Sequence, residues 1–195
     1  MRAFTGLRLS TSGPQREECH DGEVLRRRLL ASPAESAEEC ARRSVAFFRL
    51  LAQCDEIYAR WFEQGDSLEE ALQRGVHAGC WGLPSLLQCE ENQLGKDGFS
   101  LGAWTGHAEA GRGGMVQLTC GDASGAYPNS CVLYLPRTDV EPEGTRVLTA
   151  PVLVSVLRAM VLAWEPLFGV IATHEFRRAL RPARDPRASR VGSPT

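Results

Sequence analysis

Between residues 98 and 136 three short segments alternate with a period of two. Phe99, Leu101 and Ala103 alternate with Ser100, Gly102 and Trp104. Val116, Leu118 and Cys120 alternate with Met115, Gln117 and Thr119, and Cys131, Leu133 and Leu135 with Val132 and Tyr134. That period puts successive side chains on opposite faces of a strand. The links between them, His107–Gly114 and Gly121–Asn129, are rich in turn formers, so the three segments predict an antiparallel meander. Pro136 ends the third strand, and Val170-Ile171-Ala172 reads as a fourth short one.

Helical periods bracket this sheet. Ser32, with Pro33 behind it and Glu35 three residues on, forms a capping box and predicts a helix running to about Phe62. Phe47, Leu51, Cys54, Tyr58 and Trp61 recur at steps of four and three, with Ala41, Val45 and Phe48 beside them. Ser67 and Glu70 repeat the capping box for a short helix from Leu68 to Arg74, and a further short helix is expected after Pro84. A second long helix is predicted from about Ala150 to Trp164, largely buried, and stopped by Pro166. The expected fold is therefore α+β, an antiparallel sheet of three to four strands packed against two long helices, with irregular termini. Residues 1–31 lack periodicity and read as a disordered or loosely attached segment; 32–176 form the domain; 177–195 read as a disordered Arg/Pro-rich tail.

The net charge of −2 is unevenly spread: residues 34–176 carry −9, whereas both ends are basic. An acidic body repels nucleic acid and attracts basic proteins, so direct nucleic-acid binding is not expected of the domain. With 43% hydrophobic and 24% charged residues and no long uninterrupted apolar stretch, neither a membrane span nor a secretory leader is expected. Seven cysteines without disulfide-scaffold spacing read as reduced thiols in a cytoplasmic protein.

Catalytic and metal-binding motifs are weak. Gly98-Phe99-Ser100-Leu101-Gly102 matches the G-x-S-x-G pattern of a nucleophile elbow, and a small serine hydrolase using Ser100 is the alternative function, with His107 or His174 as base. That chemistry needs a tight strand-to-helix turn, and Ser100 lies inside an alternating strand. His77, Cys80 and Cys89, with Cys120 or Cys131, could make a metal site, but only His77-x-x-Cys80 has ligand-like spacing. Gly111-Arg112-Gly113-Gly114 could form an anion nest, though a flexible hairpin tip is the simpler reading. No enzyme and no cofactor are expected. What remains is a set of acids in predicted loops: Glu90, Glu91 and Asp97 before the sheet, Asp122 between strands, and Asp139, Glu141 and Glu143 after it. Gathered along one edge they would imitate the phosphates a nuclease expects and steer a basic partner, with Trp104 and Tyr127 as aromatic anchors.

The stretch Ser32-Pro33-Ala34-Glu35-Ser36-Ala37-Glu38-Glu39-Cys40-Ala41-Arg42-Arg43, leading to Phe47-Phe48 and Ala59-Arg60-Trp61-Phe62, resembles the first helix of the immunity protein 52 family. Gly98-Phe99-Ser100-Leu101, Val116–Gly121, Pro128–Pro136 and Ala163-Trp164-Glu165-Pro166 with Gly169-Val170 follow in consistent order, so the resemblance spans roughly residues 32–176. It implies a bacterial antitoxin of the polymorphic-toxin type, which binds and neutralises a cognate toxin, expected to be a nuclease of restriction-endonuclease fold. It also implies a strand with a Tyr-Trp-Gly-Pro-like segment ahead of the first helix, and residues 1–31 contain no such segment.

Overall fold

The computed structural model describes residues 24–28, 35–76, 83–109 and 111–172. Twelve elements follow in chain order: β1 (Val24–Arg28), α1 (Ala37–Leu51), β2 (Phe62–Glu63), α2 (Leu68–Gln73), α3 (Leu83–Gln88), β3 (Gln93–Leu94), β4 (Gly98–Trp104), β5 (Met115–Cys120), β6 (Ser130–Tyr134), α4 (Glu143–Val147), α5 (Ala150–Trp164) and β7 (Phe168–Ala172). All strands join one antiparallel sheet in the order β2-β4-β5-β6-β1-β7, with β3 also paired to β4. The α+β class and the β4-β5-β6 meander agree with the sequence reading. The sheet is wider than the three to four strands expected.

Three differences have identifiable causes. The first helix begins at Ala37, not after Ser32, because Ser36 takes over as N-cap: its Oγ accepts the Glu39 N–H at 3.3 Å. It stops at Leu51 instead of running to Phe62. Asp55 accepts the Ile57 N–H at 2.9 Å and opens a single 3-10 turn over Glu56–Tyr58. Its carboxylate also pairs with Arg146 at 2.5 Å, 91 residues away. The apolar spacing carries on past the break: Tyr58 and Trp61 stay buried, and their rings stack 6.0 Å apart.

The second difference is β1. It lies between β6 and β7, pairing Arg26 with both Val132 and Val170, within the stretch read from sequence as loosely attached. Its segment, Val-Leu-Arg-Arg-Arg, does not alternate, and main-chain pairing requires no alternation. The rest of residues 1–31, and Ser32 and Pro33, lie outside the described residues, as does the tail from 173 onward. The third difference is Glu143. It was read as part of an acidic loop but opens the short helix α4.

The core lies between the sheet and one helical layer. Leu101, Ala103, Val116, Leu118, Cys131 and Leu133 point from β4, β5 and β6 into it. From α1 come Cys40, Phe47, Phe48 and Leu51; from α3, Leu83 and Leu87; from α5, Val156, Met160 and Trp164. Phe47 meets Trp164 edge-on at 6.4 Å, and Phe48 meets Trp61 at 5.2 Å, locking α1 to its neighbours. Arg43 of α1 donates to the Ala163 carbonyl at 3.2 Å and pairs with Glu165 at 3.3 Å. It places a cation where the α5 carbonyls end, the favoured arrangement for the helix dipole. Helix α5 has the expected bounds, with Pro151 in its first turn, but is not largely buried: Val154, Val161 and Leu162 face outward.

Candidate partner-binding surface

Alternation along the strands sorts side chains onto two faces. Inward positions are covered by α1, α3 and α5. Outward positions, Ser100, Gly102 and Trp104 on β4, Met115, Gln117 and Thr119 on β5, and Ser130, Val132 and Tyr134 on β6, are all partly or fully exposed. An antiparallel sheet can leave one face to water in this way. The open face is ordered by its own contacts. Tyr134 Oη donates to Gln117 Oε1 at 3.1 Å, and the Thr119 and Ser130 hydroxyls lie 2.8 Å apart. Trp104 Nε1 donates to the Glu63 carbonyl at 3.1 Å, and its ring lies 6.3 Å from that of Phe62. Trp104 therefore presents a half-buried indole already fixed in orientation.

Because successive strands reverse direction, loops alternate between the two ends of the sheet, and the predicted acids do not gather along one edge. Glu90 and Glu91 sit on a 3-10 turn leading into β3, Asp97 on the β3–β4 turn, and Asp122 on the β5–β6 loop, all near the start of β4. Asp139, Glu141 and Glu143 lie beyond β6 at the opposite end, beside the β4–β5 loop.

Glu90, Glu91 and Asp97 are exposed, and their carboxylates make no hydrogen bond or ion pair among the described residues. Asp122 is different: it is buried and organises its loop. Its Oδ1 accepts from the Ser124 hydroxyl at 2.6 Å and the Ser124 N–H at 3.2 Å, and its Oδ2 from the Tyr127 N–H at 2.9 Å. Those bonds, the Ser124 hydroxyl first, hold its carboxyl below the ordinary aspartate range. Asn129, which sequence reading did not single out, clamps the loop base by accepting from Asp122 N at 3.1 Å and donating to the Asp122 carbonyl at 3.0 Å. Gly121, at φ +81°, is the other requirement, since a Cβ there would lie 2.9 Å from the Phe99 ring. Tyr127 is 44% exposed, and its ring sits over Gly95 at the same end as the unpaired carboxylates.

At the opposite end most charges are matched. Arg112 bridges Glu109 at 2.8 Å and Glu143 at 3.1 Å. Asp139 pairs with Arg137 at 2.6 Å, which holds its carboxyl low, and Glu141 accepts from the Thr145 hydroxyl at 2.5 Å. The Gly111–Gly114 stretch is therefore a fastened loop and not an anion nest. Arg137 N donates to the Gly111 carbonyl at 2.8 Å, and Gly114 N donates to Thr105 Oγ1 at 2.9 Å.

Ser100 stays mid-strand, paired with Thr119, so no nucleophile elbow forms. His107 Nδ1 lies 3.1 Å from Thr105 Oγ1, and His174 lies outside the described residues. His77 and Cys80 also lie outside them, and among the described residues no group of His, Cys, Asp or Glu could hold a metal. Cys40, Cys54, Cys89, Cys120 and Cys131 form no disulfide among the described residues. Hydrogen bonding to Cys40, and then burial, push the Cys120 thiol upward, which keeps it protonated and inert. No helix among the described residues is long and apolar enough to cross a membrane.

Fold and surface together define a two-layer α+β protein with one open sheet face and an acidic end, a form suited to binding another macromolecule. The family comparison agrees: the model of the Immunity protein 52 family matches residues 29–192, and the chain belongs to that family. The match reaches beyond residues 32–176 at both ends. No curated protein matches the chain.

Proposed function

We propose that this immunity protein neutralises a cognate toxin by stoichiometric binding, with the open sheet face and its acidic end as the docking surface. The observation that carries the reading is the coincidence of a sheet face left open among the described residues with three carboxylates unpaired among them, Glu90, Glu91 and Asp97, on a chain of this family. Carboxylates held on short turns repel nucleic acid and attract a basic cleft, so a nuclease, whose site expects phosphates, is the toxin class they suit. Trp104 supplies a pre-oriented aromatic anchor and Tyr127 a second at the acidic end. Asp139, Glu141 and Glu143 extend the surface at the other end with most of their charge already matched. No catalytic step is required, since occlusion of the toxin's active site suffices. A mid-strand Ser100 with no helix behind it gives the hydrolase alternative no support.

The test is co-expression with the toxin encoded beside this protein's gene, followed by titration calorimetry of the purified pair. A one-to-one complex that blocks nucleic-acid cleavage is expected. Continued killing of cells that contain the soluble, folded protein would sink the proposal.

A further inference from the structure

Two features at the far edge of the sheet are left open by the fold and by the docking surface just described. Strand β7 closes the sheet order, pairs only with β1 on its inner side, and has an unpaired outer edge among the described residues. Its sequence, Phe-Gly-Val-Ile-Ala, contains none of the charges or prolines that ordinarily protect an edge strand. Beside it, the outward row of α5, the turn after it and the first residue of β7 expose Val154, Val161, Leu162, Leu167 and Phe168, each between 44% and 69%. Helix α5 packs on β7, with Leu157 against Gly169, so the exposed row is carried by the helix that lies against the edge strand.

We propose that this surface joins two copies of the chain into a two-fold symmetric dimer, with β7 pairing antiparallel to β7 of the partner subunit and α5 packing antiparallel to its counterpart. The outward row is self-complementary in that arrangement. With Val161 set against Leu162 of the partner subunit, exposed Arg158 falls beside the partner subunit's Glu165, a carboxylate that stays 75% exposed although Arg43 of its own chain reaches it at 3.3 Å, and the reciprocal contact forms on the other side of the axis. The area is sufficient. The five side chains present roughly 500 Å² per copy, and with the paired strand edges the total reaches about 1,000–1,500 Å², the size of a specific protein–protein interface. An unfilled strand edge accounts for the main chain, and the apolar helix row beside it for the side chains.

The open toxin-facing sheet surface is not consumed, so the dimer stands or falls independently of toxin binding. The measurement is sedimentation velocity on the full chain across a micromolar concentration series. A reversible species of twice 21.4 kDa is expected. Leu162→Glu, at a solvent-facing position, should weaken the dimer by about tenfold or more while the far-UV spectrum stays unchanged. Arg158→Glu should weaken it as well, which a dimer formed elsewhere would not do. A chain of 21.4 kDa at every concentration overturns the proposal. So does a dimer indifferent to Leu162→Glu. So does a monomer that dimerises only after residues 173–195 are removed, because the chain's own tail would then be the occupant of this edge.

Discussion

The two ends of the sheet hold comparable numbers of acids yet differ in what those acids can do. At the β3–β4 end Glu90, Glu91 and Asp97 stand exposed and unpaired among the described residues, and only Asp122 is used internally. At the other end Arg112, Arg137 and Arg146 match Glu109, Glu143, Asp139, Asp55 and Glu56. Charge at the first end is available to a partner; charge at the second holds loops together. The lesson is that a carboxylate counts towards recognition only when no nearby guanidinium already neutralises it, and proximity of that kind is a tertiary property.

The comparison can be broken most forcefully at the paired end. Asp55 has a side chain only 8% exposed, and it both caps the 3-10 turn and takes Arg146. Asp55→Ala should lower unfolding free energy by about 1–2 kcal/mol, since it removes a cap and a part-buried ion pair and leaves Arg146 only the exposed Glu56. Chemical denaturation checks this, and a loss as small as that of a surface substitution would show the pairing to be ornamental. The unpaired end should respond in kinetics instead. Replacing Glu90 and Glu91 by Gln and Asp97 by Asn should slow toxin association by roughly tenfold at low salt, leave dissociation nearly unchanged, and leave the melting temperature where it was. Stopped-flow measurement over a salt series reads this. Neutralising Asp139, Glu141 and Glu143 should alter the rate far less, and equal effects at both ends would erase the distinction.

Asp122 sharpens the comparison within the first end. Its folded-state carboxyl is depressed by the Ser124 and Tyr127 hydrogen bonds. Its contribution to stability is therefore complete above the ordinary aspartate value of about 3.9 and is lost as pH falls below that, through the lowered folded-state value. Asp122→Asn should flatten the acid limb of the stability profile and loosen the loop that carries Tyr127, as followed by thermal melts between neutral and acid pH. The smallest effect belongs to Asp139→Asn. That pair with Arg137 is exposed, and no measurable change in melting temperature is expected from its loss.

Much of the scaffold was legible beforehand. The meander strands, the α2 capping box and the bounds of α5 all rest on local signals: alternation, a hydroxyl ahead of a carboxylate, a proline in the first turn. The break after Leu51 was not legible, because the same apolar spacing serves both a continuing helix and a helix followed by a turn that returns Tyr58 and Trp61 to the core. What decides between them is Asp55 meeting Arg146. Strand β1 escaped notice because its pairing with β6 and β7 runs through the main chain and leaves no pattern in Val-Leu-Arg-Arg-Arg. The exposed row on α5 escaped for the opposite reason: its valines and leucines look like core residues until their neighbours are placed. For the candidate surface, the sequence named Glu90, Glu91, Asp97, Trp104 and Tyr127 but could not separate them from Asp122, which ties a loop, or from Asp139 and Glu143, which arginines hold.

By itself, the order of residues determined the class of fold, the caps of α2, the two faces of each meander strand, an acidic body and, through an ordered set of short segments, membership of an immunity-protein family. Those properties are local or additive: periodicity, capping and net charge depend on neighbours in the chain or on simple sums. Only the tertiary structure decided, among the described residues, which sheet face stays open, which carboxylates have no partner, and where an apolar edge is left without cover. Each of those depends on residues far apart in the chain arriving within a few ångströms of one another, and hydrogen bonds, ion pairs and burial act only at that range.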